Sequence, residues 1–213
     1  MANKIVVHLT GGPEELGSWA RATRKEYGIQ NVVAVGGTSS SYAYPGPTVI
    51  EANKLVKTQG LLCGNIMIPD REDEARRMVE KTESGADFFT TQVIFTPDNL
   101  LKVLAAYDEG CRGRSIEPAT VLVSLAPVSD GNDLDFLRWL GVEIAAETAS
   151  QLTSQGADGL AQSSMDLAVA NWEHILAQND AFRNVSLGLN LEYINRHNFG
   201  HAPELGARLM EVS

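Results

Sequence analysis

Cysteine is scarce in this chain of 213 residues: Cys63 and Cys111 are the only two, neither belongs to a CxxC pair, and no histidine cluster joins them at metal-ligand spacing. A metal centre and a disulfide framework are therefore not expected. Cys63, inside the apolar run LLCGNIMI, reads as a small core residue, and two unpaired thiols suit a reducing cytosol. Positive charge is also short, with 17 Lys and Arg against 27 Asp and Glu and a net charge of −10. Such a surface repels phosphate backbones and anionic lipid heads, which argues against nucleic acid or membrane as partner. It leaves room for an anionic ligand in a locally positive pocket. No apolar run approaches the roughly 18 residues of a membrane span. The N-terminus MANKIVVHLT carries neither a long apolar stretch nor a cleavage site, so no signal peptide and a cytoplasmic location are expected. Catalytic signatures are missing too. There is no GxSxG elbow, Gly36-Gly37 is too short for GxGxxG, and no Walker lysine motif exists. No internal repeat or low-complexity linker divides the chain, so residues 1–213 read as a single domain.

What the chain does have is a recurring alternation of short β-branched runs and amphipathic helical patterns. The runs KIVVHLT (4–10), NVVAVG (31–36), 61–68, FFTTQVIF (88–95), TVLVSL (120–125) and VSLGLNLE (185–192) predict six strands. Helices are predicted over 13–27, with Pro13, Glu14 and Glu15 at its start and Gly28 at its end, and over 48–58, 72–84 and 97–110. Two or three helical stretches follow between 134 and 179, and a last helix ends near Met210. The strands are near-continuous apolar runs, the pattern of a parallel sheet buried on both faces. About six βα units fit either a doubly wound sheet or part of a (β/α)8 barrel, and periodicity does not choose between them.

In either architecture ligands bind at the C-terminal ends of the strands. The residues expected there include His8, Gly37 and Thr38, Asn65, Asp70 and Arg71, Thr90, Thr91 and Gln92, Ser124, and Asn190, Glu192, Tyr193, Asn195 and Arg196. This set is rich in amides and hydroxyls and lacks a base-activated nucleophile, which suits a planar heterocycle such as a pterin or flavin. Gln92 is the most informative, because an amide in an apolar strand costs free energy unless it is paired; a core glutamine bonded to a neighbouring loop is the equal alternative. His8 taken alone reads as structural, Lys81 and Arg77 as solvated helix residues, and Arg196 as a partner for Glu192. The run PDREDEARR reads as a helix start with a solvated face.

Several segments together resemble the methylenetetrahydrofolate reductase family. VVHLT is similar to its PHLT segment, and YGIQNVVAVGG to its "GI.N..ALRGD" stretch. KTESGADFFTTQVIF is similar to "K..GA.F.ITQ.FF", APVSD to "P.LPVSN", and EYINR to "TLNR". Order and spacing hold over nearly the whole chain, and the match enters the family's barrel at what looks like its third strand, without the first two βα units and the strand-one carboxylate. The resemblance implies a TIM-barrel-like parallel sheet, here an incomplete barrel. It implies reduction of methylenetetrahydrofolate to methyltetrahydrofolate, with FAD and NAD(P)H as cofactors and a reduced folate as substrate.

Carried over residue by residue, the resemblance places Gln92 against the pterin, Arg196 (with its neighbour Asn195) at the glutamate tail, and His8, Gly37, Thr38 and Lys81 around the flavin. Its flavin-side motifs are altered: Thr38 stands for the acid and Gly36 for the arginine of "RGD", and Ile68 and Glu72 stand for the Tyr and His of "YPE.H". These changes predict weak or absent FAD binding. Asp70 and Glu192 are the candidates for the catalytic acid. The alternatives are a folate- or pterin-binding subunit without catalysis of its own, or a fragment of a longer gene product. Six βα units would leave two sheet edges open, so a homo-oligomer or a partner subunit is expected.

Overall fold

The computed structural model describes residues 4–9, 11–36, 46–154 and 156–212. Its elements follow the predicted alternation: β1 (Lys4–His8), α1 (Pro13–Lys25), β2 (Asn31–Val35), α2 (Val49–Thr58), β3 (Leu62–Met67), α3 (Glu74–Glu83), β4 (Phe88–Val93), α4 (Asp98–Gly113) and β5 (Thr120–Leu125). Three helices then intervene, α5 (Gly131–Trp139), α6 (Ala146–Ser154) and α7 (Gly156–Ala177), before β6 (Leu187–Leu191) and α8 (Ala202–Glu211). The helix starts are set locally. Thr48 and Glu51 form a reciprocal capping box on α2, and the Asp130 carboxylate caps α5 by accepting from the Asp133 amide at 3.0 Å. Gly28, at φ 67°, turns the chain out of α1 toward β2.

All six strands are parallel and lie in the order β1-β2-β3-β4-β5-β6. A doubly wound sheet reverses its order at a switch point; a sheet that runs on in sequence order is the barrel arrangement. The fold is thus a TIM-barrel-like α/β sheet of six βα units. Among the described residues β1 pairs only with β2 and β6 only with β5, so the sheet is open.

The two faces of the sheet differ. Register places Val32, Cys63, Asn65, Phe89 and Val121 on one face. Val32 and Cys63 pack there with Leu16, Ala20, Ala52 and Val56 of α1 and α2. Phe89 and Val121 pack with Met78, Leu104 and Ile175 of α3, α4 and α7. Among the described residues the opposite face carries no helix layer. Phe88 leans over Gly64, where a Cβ would run into its ring, and Leu122 leans over Gly188. Toward the strand starts Val6 and Leu62 remain 49% and 46% exposed. Burial on both faces by helices, expected from the apolar runs, is therefore corrected. In a barrel the inner face is filled by its own side chains, and here that filling is partial. A third cluster, including Val93, Phe95, Ala126, Leu134, Leu137 and Leu152, packs α5 and α6 beyond the ends of β4 and β5.

Candidate functional site

The site grows from an irregularity in β4. Pairing with β5 shifts register between Thr90 and Val93. Side-chain bonds replace the ladder there: the Ser124 amide donates to Thr91 Oγ1 at 2.9 Å, Ser124 Oγ donates to the Thr91 carbonyl at 2.7 Å, and the Thr91 hydroxyl donates to the Gln92 carbonyl at 2.7 Å. A bulge of this kind re-aims the next side chain. Gln92 consequently forms part of the wall of two cavities at the C-terminal ends of the strands, of about 530 and 450 Å³. Its Nε2 donates to the Leu140 carbonyl at 3.2 Å, while its Oε1 is buried without a partner among the described residues. Simple alternation along the strand would put Thr90 beside Gln92 in the pocket; the bulge interrupts the alternation, and Thr90 lines neither cavity.

The larger cavity lies between the ends of β2 and β3 and the start of α2, and is lined by Arg71 of the turn before α3 and by Arg77 and Lys81 of α3. The Lys81 ammonium donates to the Ile66 carbonyl at 2.9 Å and stands 3.5 Å from the Glu74 carboxylate, whose side chain is fully buried. Glu74 also accepts from the Ile68 amide at 3.2 Å and from Arg71 at 3.4 Å. Burial lowers the Lys81 pKa, and the Glu74 charge acts in the opposite sense. The expectation that Lys81 is a solvated helix residue is therefore corrected: its aliphatic stem is packed and its ammonium is held at a strand end. Asn65 also lines this cavity and is tied to α2. It exchanges amide bonds of 2.8 and 2.9 Å with Asn53 of α2 on the helix face.

The smaller cavity carries Asp70, Asn99, Lys102 and Glu143 along its rim. Asp70 accepts from Asn99 Nδ2 at 2.7 Å. On the far side of β5 a second polar group gathers at the end of β6. Asn190 Nδ2 bridges Ser124 Oγ at 2.9 Å and the Glu192 carboxylate at 3.1 Å. The buried Asp133 accepts from the Ser129 amide at 2.8 Å, from the Tyr193 hydroxyl at 3.0 Å and from Asn195 Nδ2 at 3.2 Å. It thereby ties the segment after β6 to α5. Tyr193 sits at φ 55° with its ring stacked on Phe136 at 5.3 Å. Burial, and then the bond to Asp133, raise its phenol pKa.

Of the residues expected from sequence, Asn65, Arg71, Lys81 and Gln92 line the larger cavity, and Asp70 lines the smaller one with Gln92. Glu192 and Asn195 belong to the β6 group. Arg196 is at the same end of the sheet but exposed, its Nε donating to the His197 ring at 3.0 Å. It makes no ion pair with Glu192 among the described residues, contrary to the pairing expected for it. His8 lines a separate cavity of about 120 Å³ with Glu15 and Trp19. Gly37 and Thr38 lie outside the described residues. Sequence reading passed over Glu74 and Asp133. Each sits in a charged stretch that looks like an ordinary helix start, and only packing singles out the one carboxylate that is buried.

No family model and no curated protein matches the sequence. Among solved structures, an uncharacterised protein from Clostridium thermocellum that binds two copies of 5-methyl-5,6,7,8-tetrahydrofolic acid is similar over 98% of this chain and 72% of its own, at 18% identity and a TM-score of 0.78. A likeness at that identity establishes the shared fold. Dihydropteroate synthase from Thermus thermophilus, in complex with 4-aminobenzoate, aligns over 99% of this chain and 70% of its own, at 13% identity and a TM-score of 0.47.

Proposed function

We propose that this chain binds a reduced folate at the strand ends, with the pterin against Gln92. One observation carries the reading: Gln92 Oε1 is buried and has no partner among the described residues, and Gln92 lines two cavities. A buried acceptor without a donor costs free energy, and a ligand donor at that point recovers it. A pterin edge presents such donors, and a carboxamide can accept from one ring position while donating to the next. The similar fold of a protein that binds methyltetrahydrofolate supports the same ligand class. Calorimetry with 5-methyltetrahydrofolate tests it. Gln92→Leu should bind at least about tenfold more weakly than wild type, the equivalent of one buried hydrogen bond. Equal binding by the variant, or no binding by wild type, would remove the assignment.

The catalytic form of this reading is reduction of methylenetetrahydrofolate to methyltetrahydrofolate. Protonation at the bridging nitrogen opens the five-membered ring to an iminium ion. Hydride from NAD(P)H then reaches the iminium carbon, leaving NAD(P)⁺. Support for an acid comes from Glu192, a carboxylate held at the β6 end by Asn190; Asp70 is the second candidate. A folate-dependent loss of nicotinamide absorbance, abolished in Glu192→Gln, would support it. Binding without turnover would leave the chain as a folate-binding subunit. Of the residues that the resemblance assigns to a flavin, the two described ones, His8 and Lys81, line separate cavities. No step is therefore routed through FAD.

A further inference from the structure

The orientation of the Gln92 carboxamide is set by the end of a helix. A carboxamide that turns over exchanges its donor and its acceptor, so a neighbour must fix which end is which. Here the neighbour is the carbonyl of Leu140, which can only accept. Nε2 faces it at 3.2 Å, and Oε1 is the end left without a partner among the described residues. Leu140 directly follows α5, and the chain closes there in a tight cap. The Gly141 amide donates to the Arg138 carbonyl at 2.9 Å and the Val142 amide to the Leu137 carbonyl at 3.0 Å. Leu137 and Val142 are buried in one apolar cluster, the contact that accompanies such a cap. Neither bond uses the Leu140 carbonyl. Gly141 stands at φ 85°, the left-handed conformation that the cap requires. The start of α5 is held as well, by Asp133 accepting from Tyr193 and Asn195. Leu140, Gly141 and Gln92 line the larger cavity together.

Resting on the folate reading above, we infer that Gly141 is a positioning residue for the ligand: its left-handed conformation holds the Leu140 carbonyl against Gln92 Nε2 and so leaves Oε1 as the acceptor. The two residues are linked through one peptide plane, since the Leu140 carbonyl and the Gly141 amide form a single rigid unit. A side chain at 141 disfavours positive φ, and the unit relieves the strain by turning, which swings the carbonyl away from Nε2. Space is not the obstacle, because a Cβ at 141 would lie 3.8 Å from Nε2, an ordinary contact distance. Once released, the carboxamide can turn over and set its own donor against a donor of the pterin edge, and the lost bond lowers affinity. A glycine that served only to end α5 would affect stability without reference to Gln92.

A double-mutant cycle read by calorimetry with 5-methyltetrahydrofolate tests this, with Gly141→Ala and Gln92→Leu made singly and together. Gly141→Ala should bind about fivefold more weakly than wild type. In the Gln92→Leu background the same change should alter affinity by less than about twofold, because no carboxamide remains to be oriented. Gly141→Asn should stay within about twofold of wild type, since asparagine adopts the left-handed conformation at little cost. Equal losses from Gly141→Ala in both backgrounds, no loss in either, or a loss in Gly141→Asn as large as that in Gly141→Ala would overturn the inference while leaving the pterin at Gln92. If wild type binds no folate, the folate reading fails and this one with it.

Discussion

Gln92 donates its amide to the carbonyl of Leu140, 3.2 Å away and 48 positions along the chain, while the carboxamide oxygen beside that amide has no partner among the described residues. The half-satisfied side chain predicts a dissociation of binding from stability. In Gln92→Leu the bond to Leu140 is lost, worth about 1 kcal/mol, but the penalty of the orphaned Oε1 goes with it. Leu140 is 47% exposed, so water can replace the donor. Urea unfolding of the variant should therefore lie within about 1 kcal/mol of wild type even as folate affinity drops. A loss above about 2 kcal/mol would identify Gln92 as a core brace.

Glu74 is the opposite case. Its fully buried carboxylate faces Lys81, whose side chain is 12% exposed, and the more open Arg71. Glu74→Gln keeps the shape and an acceptor for the Ile68 amide but strands the Lys81 charge. The expected cost is about 3 kcal/mol in chemical denaturation. A change below about 1 kcal/mol would mean that the Ile66 carbonyl and water suffice for Lys81.

Cys63 predicts an alkaline instability. Burial, and then the Asp87 charge, push its thiol from 9.0 up to about 12. The unfolded thiol ionises near its ordinary value while the folded one keeps its proton, so the folded chain binds more protons across that window. Stability falls as pH rises from about 9 toward 12, by about 1.4 kcal/mol for each pH unit well inside the window. Cys63→Ala should show a shallower alkaline loss than wild type in thermal melts between about pH 8 and pH 10. An unchanged slope would assign the effect to other groups.

The purified protein should be colourless. Among the described residues assigned to a flavin, His8 and Lys81 line separate cavities rather than one space. The absorbance spectrum of protein purified without added cofactor checks this, and stoichiometric flavin absorbance would refute it.

Much of the architecture could be read from local pattern. Apolar runs such as TVLVSL and the caps at Pro13 and Thr48 act within a few residues, so strands and helices fall within a few positions of their expected bounds. Gln92 stood out for the same reason, as an amide in an otherwise apolar strand. Glu74 did not: burial of one acid among PDREDEARR depends on where Lys81 and the end of β3 come to lie. Nor did the Thr91–Ser124 exchange, which joins residues 33 positions apart.

The sequence by itself determined the alternation of strand and helix, the absence of cysteine pairs at metal-ligand spacing, the acidic surface and the strand-end position of Gln92, because each depends on composition or on neighbours in the chain. Only the tertiary structure decided the rest. Consecutive strand order selected the barrel arrangement over a doubly wound sheet. The bulge in β4 aimed Gln92 between two cavities. The packing of α3 drew Arg71, Arg77 and Lys81 to one space and left Arg196 outside it. The physical reason is range: helix and strand signals act over a few residues, whereas burial of a charge and the walls of a cavity are set by segments that meet only after the sheet has formed.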